Sequence, residues 1–134
     1  MAGNQKCLLV IDDEDDICQV IQAKFEHLGY KVLIAHSVHE GYQKIEKGAP
    51  DCVFLDICIP GSEGGLACLR GIRSYNHKNP HEQDRIRKTP VVMITGAGTV
   101  MQALFDREEI SGFIEKPFDL ADLQARVEQI VWKR

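Results

Sequence analysis

No apolar run in these 134 residues approaches the roughly 20 needed to span a bilayer, and no signal-peptide pattern opens the chain. Alanine at position 2 excludes myristoylation, which needs glycine there. These absences make the cytoplasm the expected compartment and a membrane an unexpected partner. The five cysteines, Cys7, Cys18, Cys52, Cys58 and Cys68, form no CxxC pair and no zinc-ligand spacing. An odd number in a chain without a leader is expected to stay reduced, four of them as small apolar side chains. A net charge of -4 argues against a nucleic-acid surface. No glycine-rich phosphate cradle follows the first apolar run; Asp12-Asp13-Glu14-Asp15-Asp16 stands there instead.

What is present is a set of short apolar runs that each stop at a polar residue. Cys7 to Ile11 ends in Asp12-Asp13, and Cys52 to Leu55 ends in Asp56. Val91 to Ile94 ends in Thr95, and Gly112 to Glu115 ends in Lys116-Pro117. Such runs, alternating with helix-length segments, read as buried parallel strands. The spacing predicts strands over 6–11, 31–35, 51–55, 91–95 and 112–115. Helices are predicted over 14–28, after Ser37 to 47, over 65–75, 99–109 and 120–132. Ile17, Val20, Ile21 and Phe25 form the expected core stripe of the first helix, with Gly29 to end it. Gly48 and Pro50 are expected to close the second helix, and Asp119 to cap the last. The result is one α/β domain over 1–134, (βα)5, with helices on both faces of a doubly wound parallel sheet. The stretch 74–90 is long, polar and charged, and reads as a solvated excursion. Pro80 argues against a helical metal pair of His77 and His81.

Parallel strands bring their carboxyl ends to one edge, where open α/β sheets place their sites. Three carboxylates, a hydroxyl and a lysine would meet there. Two carboxylates about 4 Å apart repel by roughly 4 kcal/mol at an effective dielectric near 20, so a cation is expected among them. Lys116 supplies one charge. A hard ion such as Mg2+, which binds through a few carboxylates, waters and a phosphate, supplies the rest. Asp56 could then act as nucleophile toward a phosphoryl group, with Asp12 and Asp13 near the ion and Lys116 and Thr95 on the remaining oxygens. Glu14 to Asp16 read as acids favouring a helix N-terminus.

With these residues in order, the chain from 6 to 132 resembles the receiver domain of two-component response regulators. Pro60 and Gly64 stand four and eight residues after Asp56, Gly96-Ala97 follow Thr95, and Phe118 follows Pro117, all in the family's pattern. The resemblance implies a flavodoxin-like sheet of order 2-1-3-4-5. It implies Asp56 as phosphoacceptor, loaded by a sensor histidine kinase or a histidine phosphotransfer protein. Mg2+, or Mn2+ in its place, would be held by Asp12, Asp13, Asp56 and the backbone carbonyl of Cys58. Thr95, Lys116 and the aromatic Phe113 would form the switch, Phe113 standing where many members have tyrosine. Cys58 occupies the position from which members adjust the lifetime of the acyl phosphate. Partner binding or phosphorylation-dependent dimerisation would use the helix over 99–109, where Met101 and Phe105 flank the core stripe, with the last strand and helix. Trp132 could extend that surface or cover the chain's end.

The implied role is signalling rather than turnover of a free substrate. Aspartyl-phosphate phosphatases of the haloacid-dehalogenase type need Asp-x-Asp after the first strand, and here the nucleophile follows the third. The remaining alternative is a binding module independent of phosphorylation. Two residues follow Trp132, so the chain either acts alone on a downstream target or is a receiver cut from a longer protein.

Overall fold

The computed structural model describes residues 5–58, 64–95, 107 and 109–132. Five strands, β1 (Cys7–Ile11), β2 (Lys31–Ala35), β3 (Cys52–Asp56), β4 (Val91–Thr95) and β5 (Gly112–Glu115), form one parallel sheet in the order β2-β1-β3-β4-β5. The described helices are α1 (Asp15–His27), α2 (Val38–Gly48), α3 (Gly64–Arg73), α4 (Pro80–Arg87) and α5 (Leu120–Val131). Alternate strand residues face opposite layers. Leu8, Val10, Phe54, Val92 and Ile94 pack with Phe25 of α1 and Leu123 and Val127 of α5. Leu9, Ile11, Val53, Leu55 and Met93 pack with Ile45 of α2, Leu69 and Ile72 of α3, and Ile86 of α4. All five residues of β1, β3 and β4 are buried, which explains why these strands read as unbroken apolar runs rather than alternating ones. Among the described residues no helix is long and apolar enough to cross a membrane. Residues 99–106 and 108 of the predicted helix over 99–109, Met101 and Phe105 among them, and the loop residue Pro60 lie outside the described residues.

Three expectations need correction. The first concerns α1, where Val20 is 51% exposed and Cys18 takes its place in the core. The thiol of Cys18 sits 3.4 Å from the Asp12 carbonyl oxygen, so a small polarisable side chain fills the position against the end of β1. The second concerns the end of α2. The left-handed residue is Ala49, at φ 46°, not Gly48. A Cβ at Gly48 would stand 2.5 Å from Leu33 Cδ1, a side-chain tip that can turn aside. Gly29, at φ 98°, does end α1 by conformation.

The third correction is α4, inside the stretch that reads as a solvated excursion. Asn79 caps it, its Oδ1 accepting from the backbone N–H groups of His81 (2.9 Å) and Glu82 (3.2 Å). Pro80 stands in the first turn, where a missing N–H removes no helical bond. The helix then docks through polar groups. Arg85 donates to the terminal α2 carbonyls of Ile45 (3.2 Å) and Glu46 (3.1 Å), and Arg87 donates to the Tyr75 carbonyl (2.7 Å). Ile86 is its one buried apolar anchor.

The start of α3 presses on the end of β3. A Cβ at Gly65 would meet the Asp56 carbonyl oxygen and stand 2.6 Å from Ile57 Cα, both backbone. Backbone cannot rotate away as a side-chain tip can. Gly65→Ala is therefore expected to destabilise the domain by about 2 kcal/mol, measured by urea unfolding. An unchanged midpoint would show that α3 is free to shift away from Asp56.

Candidate functional site

Four of the five strands, β1, β3, β4 and β5, deliver polar groups to the carboxyl edge. Asp12 follows β1 directly and is 0% exposed; Asp56 and Thr95 are the buried last residues of β3 and β4. Lys116 follows β5, and its peptide bond to Pro117 is cis. The Lys116 backbone N–H donates to the Thr95 carbonyl at 2.8 Å, which ties the lysine to the end of β4. One oxygen from each of Asp12, Asp13 and Asp56 lies within 4.8 Å of the other two. Asp13 is exposed, so the cluster opens to solvent on one side.

The hydrogen bonds leave the cluster short of donors. Asp12 Oδ1 accepts from the Glu14 N–H at 2.9 Å, and Asp56 Oδ1 accepts from the Cys58 N–H at 3.0 Å. Asp56 Oδ2 lies 3.3 Å from Lys116 Nζ. Asp12 Oδ2 is buried with no hydrogen-bond partner, and Lys116 Nζ stands off from it at 3.9 Å. A buried carboxylate oxygen without a donor is costly unless a positive charge joins it. Burial raises the Asp12 carboxyl to about 6; the adjacent Asp56 charge adds to this and the Glu14 N–H opposes it. Burial pulls the Lys116 ammonium down, but Asp56, Asp12 and Glu14 together outweigh it and hold its pKa above the ordinary lysine value. Three hard oxygen donors around one orphaned oxygen fit a divalent cation of the Mg2+ kind.

The fold brings Asp12, Asp13, Asp56 and Lys116 together, with Thr95 at the adjoining end of β4. Cys58 lies just past β3 with its side chain exposed, while the other four cysteines are buried. Phe113, in β5, is half-buried against the α2–α4 layer. Gly64 begins α3 at φ 70°, and Pro117 follows the lysine at the surface. Trp132 is 53% exposed and anchored at one edge to the α1–β2 end of the domain. Its Nε1 donates to the Tyr30 hydroxyl at 2.8 Å, and Lys6 Nζ lies 5.3 Å from its ring centroid. Among the described residues, the group missed is Glu14, whose Oε1 lies 3.3 Å from Lys116 Nζ. The signal for it was a glutamate at an N-cap, where its side chain is too long to cap well.

A doubly wound parallel sheet of order 2-1-3-4-5, with its polar residues gathered at the carboxyl edge, defines a flavodoxin-like domain. Residues 8–128 match the family model of the response regulator receiver domain, and the chain belongs to that family. It is 29% identical over 121 residues to the uncharacterized transcriptional regulatory protein YkoG of Bacillus subtilis, covering 90% of this chain and 48% of that protein. It is 29% identical over 131 residues to the transcriptional activator protein PfeR of Pseudomonas aeruginosa, covering 92% of this chain and 37% of that protein. The chain thus spans half or less of the length of these curated relatives. Among solved structures, the receiver domain of NtrX from Brucella abortus superposes with TM-score 0.76 at 30% identity, covering 95% of this chain and 99% of that one. A two-component response regulator from Clostridium difficile gives TM-score 0.78 at 25% identity, covering 96% and 98%. The protein is a response regulator receiver domain of two-component systems, a family of signalling domains.

Proposed function

We propose that this receiver is a working phosphoacceptor switch that takes a phosphoryl group on Asp56. The donor is a phosphohistidine of a sensor histidine kinase or a histidine phosphotransfer protein. An Asp56 carboxylate oxygen forms the new O–P bond as the histidine N–P bond breaks, and the imidazole leaves with the electron pair. The observation that carries this reading is the pairing of Asp56 Oδ2 with Lys116 Nζ beside the orphaned Asp12 Oδ2. One side holds the nucleophile and its cation, and the other offers an unpaired carboxylate oxygen that a further positive charge would satisfy.

Asp12, Asp13, Asp56 and the Cys58 carbonyl would hold Mg2+, with Mn2+ as a substitute. When bound, the ion supplies positive charge that offsets the charge on the phosphoryl oxygens in transfer. Lys116 would orient the phosphoryl group, and the Thr95 hydroxyl, at the end of the neighbouring strand, would follow it. The signal would leave through Phe113 and the surface of segment 99–109, β5 and α5, to a downstream protein, a second copy or an output domain. Met101 and Phe105 belong to this proposal on sequence alone. The compartment consistent with a histidine kinase donor is the cytoplasm. No turnover of a free substrate is part of this reading beyond self-phosphorylation and self-dephosphorylation.

The test is chemical trapping. Protein loaded with acetyl phosphate and Mg2+, then reduced with borohydride, should carry a single reduced aspartyl residue at position 56. Reduction at any other carboxylate would move the site. Cys58 tunes the lifetime of the acyl phosphate, because an exposed thiol offers neither a charge nor a carboxamide to orient attacking water. Cys58→Asn is expected to shorten the acyl phosphate half-life several-fold. Equal decay of parent and variant would remove Cys58 from the account.

A further inference from the structure

Glu14 occupies the N-cap of α1 in an extended conformation, φ -87° and ψ 104°, and its side chain makes no capping bond. Ser, Thr, Asp and Asn are favoured there because a short side chain reaches the N–H groups one turn on. Glutamate instead reaches out across the carboxyl edge. Its backbone is held, with the N–H on Asp12 Oδ1 at 2.9 Å and the carbonyl accepting from Cys18 N at 3.2 Å. Its Oε1 lies 3.3 Å from Lys116 Nζ, the same distance as Asp56 Oδ2 and nearer than Asp12 Oδ2 at 3.9 Å. The ammonium is therefore divided between a buried carboxylate and one whose side chain is 58% exposed.

Loading changes that division. As the O–P bond forms, Asp56 gives up its carboxylate charge and the phosphoryl oxygens bring a larger negative charge to the same lysine. We propose, on the reading that Asp56 is the phosphoacceptor, that Glu14 is a positioning residue: a releasable counter-ion that restrains loading by holding a share of Lys116. The restraint is modest, because a largely exposed ion pair is weak. It is also separable from the α1 cap, because the Glu14 side chain makes no capping hydrogen bond.

The experiment loads the parent and three variants from acetyl phosphate and Mg2+, where the O–P bond to Asp56 forms as the donor's O–P bond breaks and acetate leaves. Glu14→Gln removes the charge at constant shape. Glu14→Asp keeps the charge but falls short of Lys116. Asp16→Asn removes a nearby exposed charge on the same helix. Glu14→Gln and Glu14→Asp are both expected to raise the maximal loading rate by roughly two- to fivefold. The half-saturating acetyl phosphate should stay unchanged, and Asp16→Asn should load as the parent does. Equal rates for Glu14→Gln and parent would overturn the proposal. So would an effect shared by Asp16→Asn, or lost in Glu14→Asp, since either would reduce it to bulk charge. A parent that does not load at all would instead remove the underlying reading of Asp56.

Discussion

Asp12→Asn is expected to make the domain more stable in chelator-treated buffer at pH 7.5, by about 2–3 kcal/mol. The native carboxyl titrates near 6 because burial penalises its charge, against an ordinary value of 3.8. The folded state therefore binds this proton more tightly than the unfolded one. The favourable contribution is complete below about pH 4, declines as pH rises, and is lost above about pH 6. An amide is neutral throughout, keeps the acceptor used by the Glu14 N–H, and turns its donors toward Asp13 and Asp56. The melting temperature should rise by roughly 5–10 °C. The parent should also gain stability between pH 7 and pH 5 from this group, and the variant should lack that gain. Added Mg2+ should stabilise the parent more than the variant, by mass action on the folded state. A variant that melts lower than the parent without divalent ions would mean that the Asp12 charge is not strained.

Arg73→Met should lose about 3 kcal/mol. Arg73, from the last turn of α3, donates Nε to the Glu109 carbonyl at 2.9 Å and Nη1 to the carbonyls of Arg87 (2.9 Å) and Thr89 (2.7 Å). Burial lowers its pKa. One guanidinium thus ties the end of α4, the entry to β4 and the approach to β5. Methionine keeps the apolar stem and leaves three carbonyls without that donor. Hydrogen exchange should accelerate first in α4, whose docking is mostly polar. A loss below 0.5 kcal/mol in urea unfolding, with α4 still protected, would show that water replaces the guanidinium without penalty.

The strands were legible because inner parallel strands are buried on both faces, so apolar content alone marks them. β2, β4 and β5 lie where the pattern predicts, and the residues that end the runs meet at one edge because parallel topology leaves no other arrangement. The helix α4 was hidden by the same logic. It has a single buried apolar residue, Ile86, so no periodicity marks it, and its docking runs through Arg85 and Arg87 to backbone carbonyls. Asn79-Pro80 was its only local signal, as cap and first turn. Val20 and Cys18 exchange places because helical spacing allows either, and the thiol fits against the end of β1. Glu14 was hidden because its partner stands 102 residues away, a distance that a helix-start rule does not see.

On the proposed reading, Asp56 accepts a phosphoryl group in a cation-dependent site. Intact mass after incubation with acetyl phosphate and Mg2+ tests it most directly, with Asp56→Asn and a chelator-treated sample alongside. One labile phosphoryl increment is expected in the parent and none in either control. A folded, Mg2+-binding parent that gains no phosphoryl group would contradict it and leave a receiver fold that serves as a binding module independent of phosphorylation.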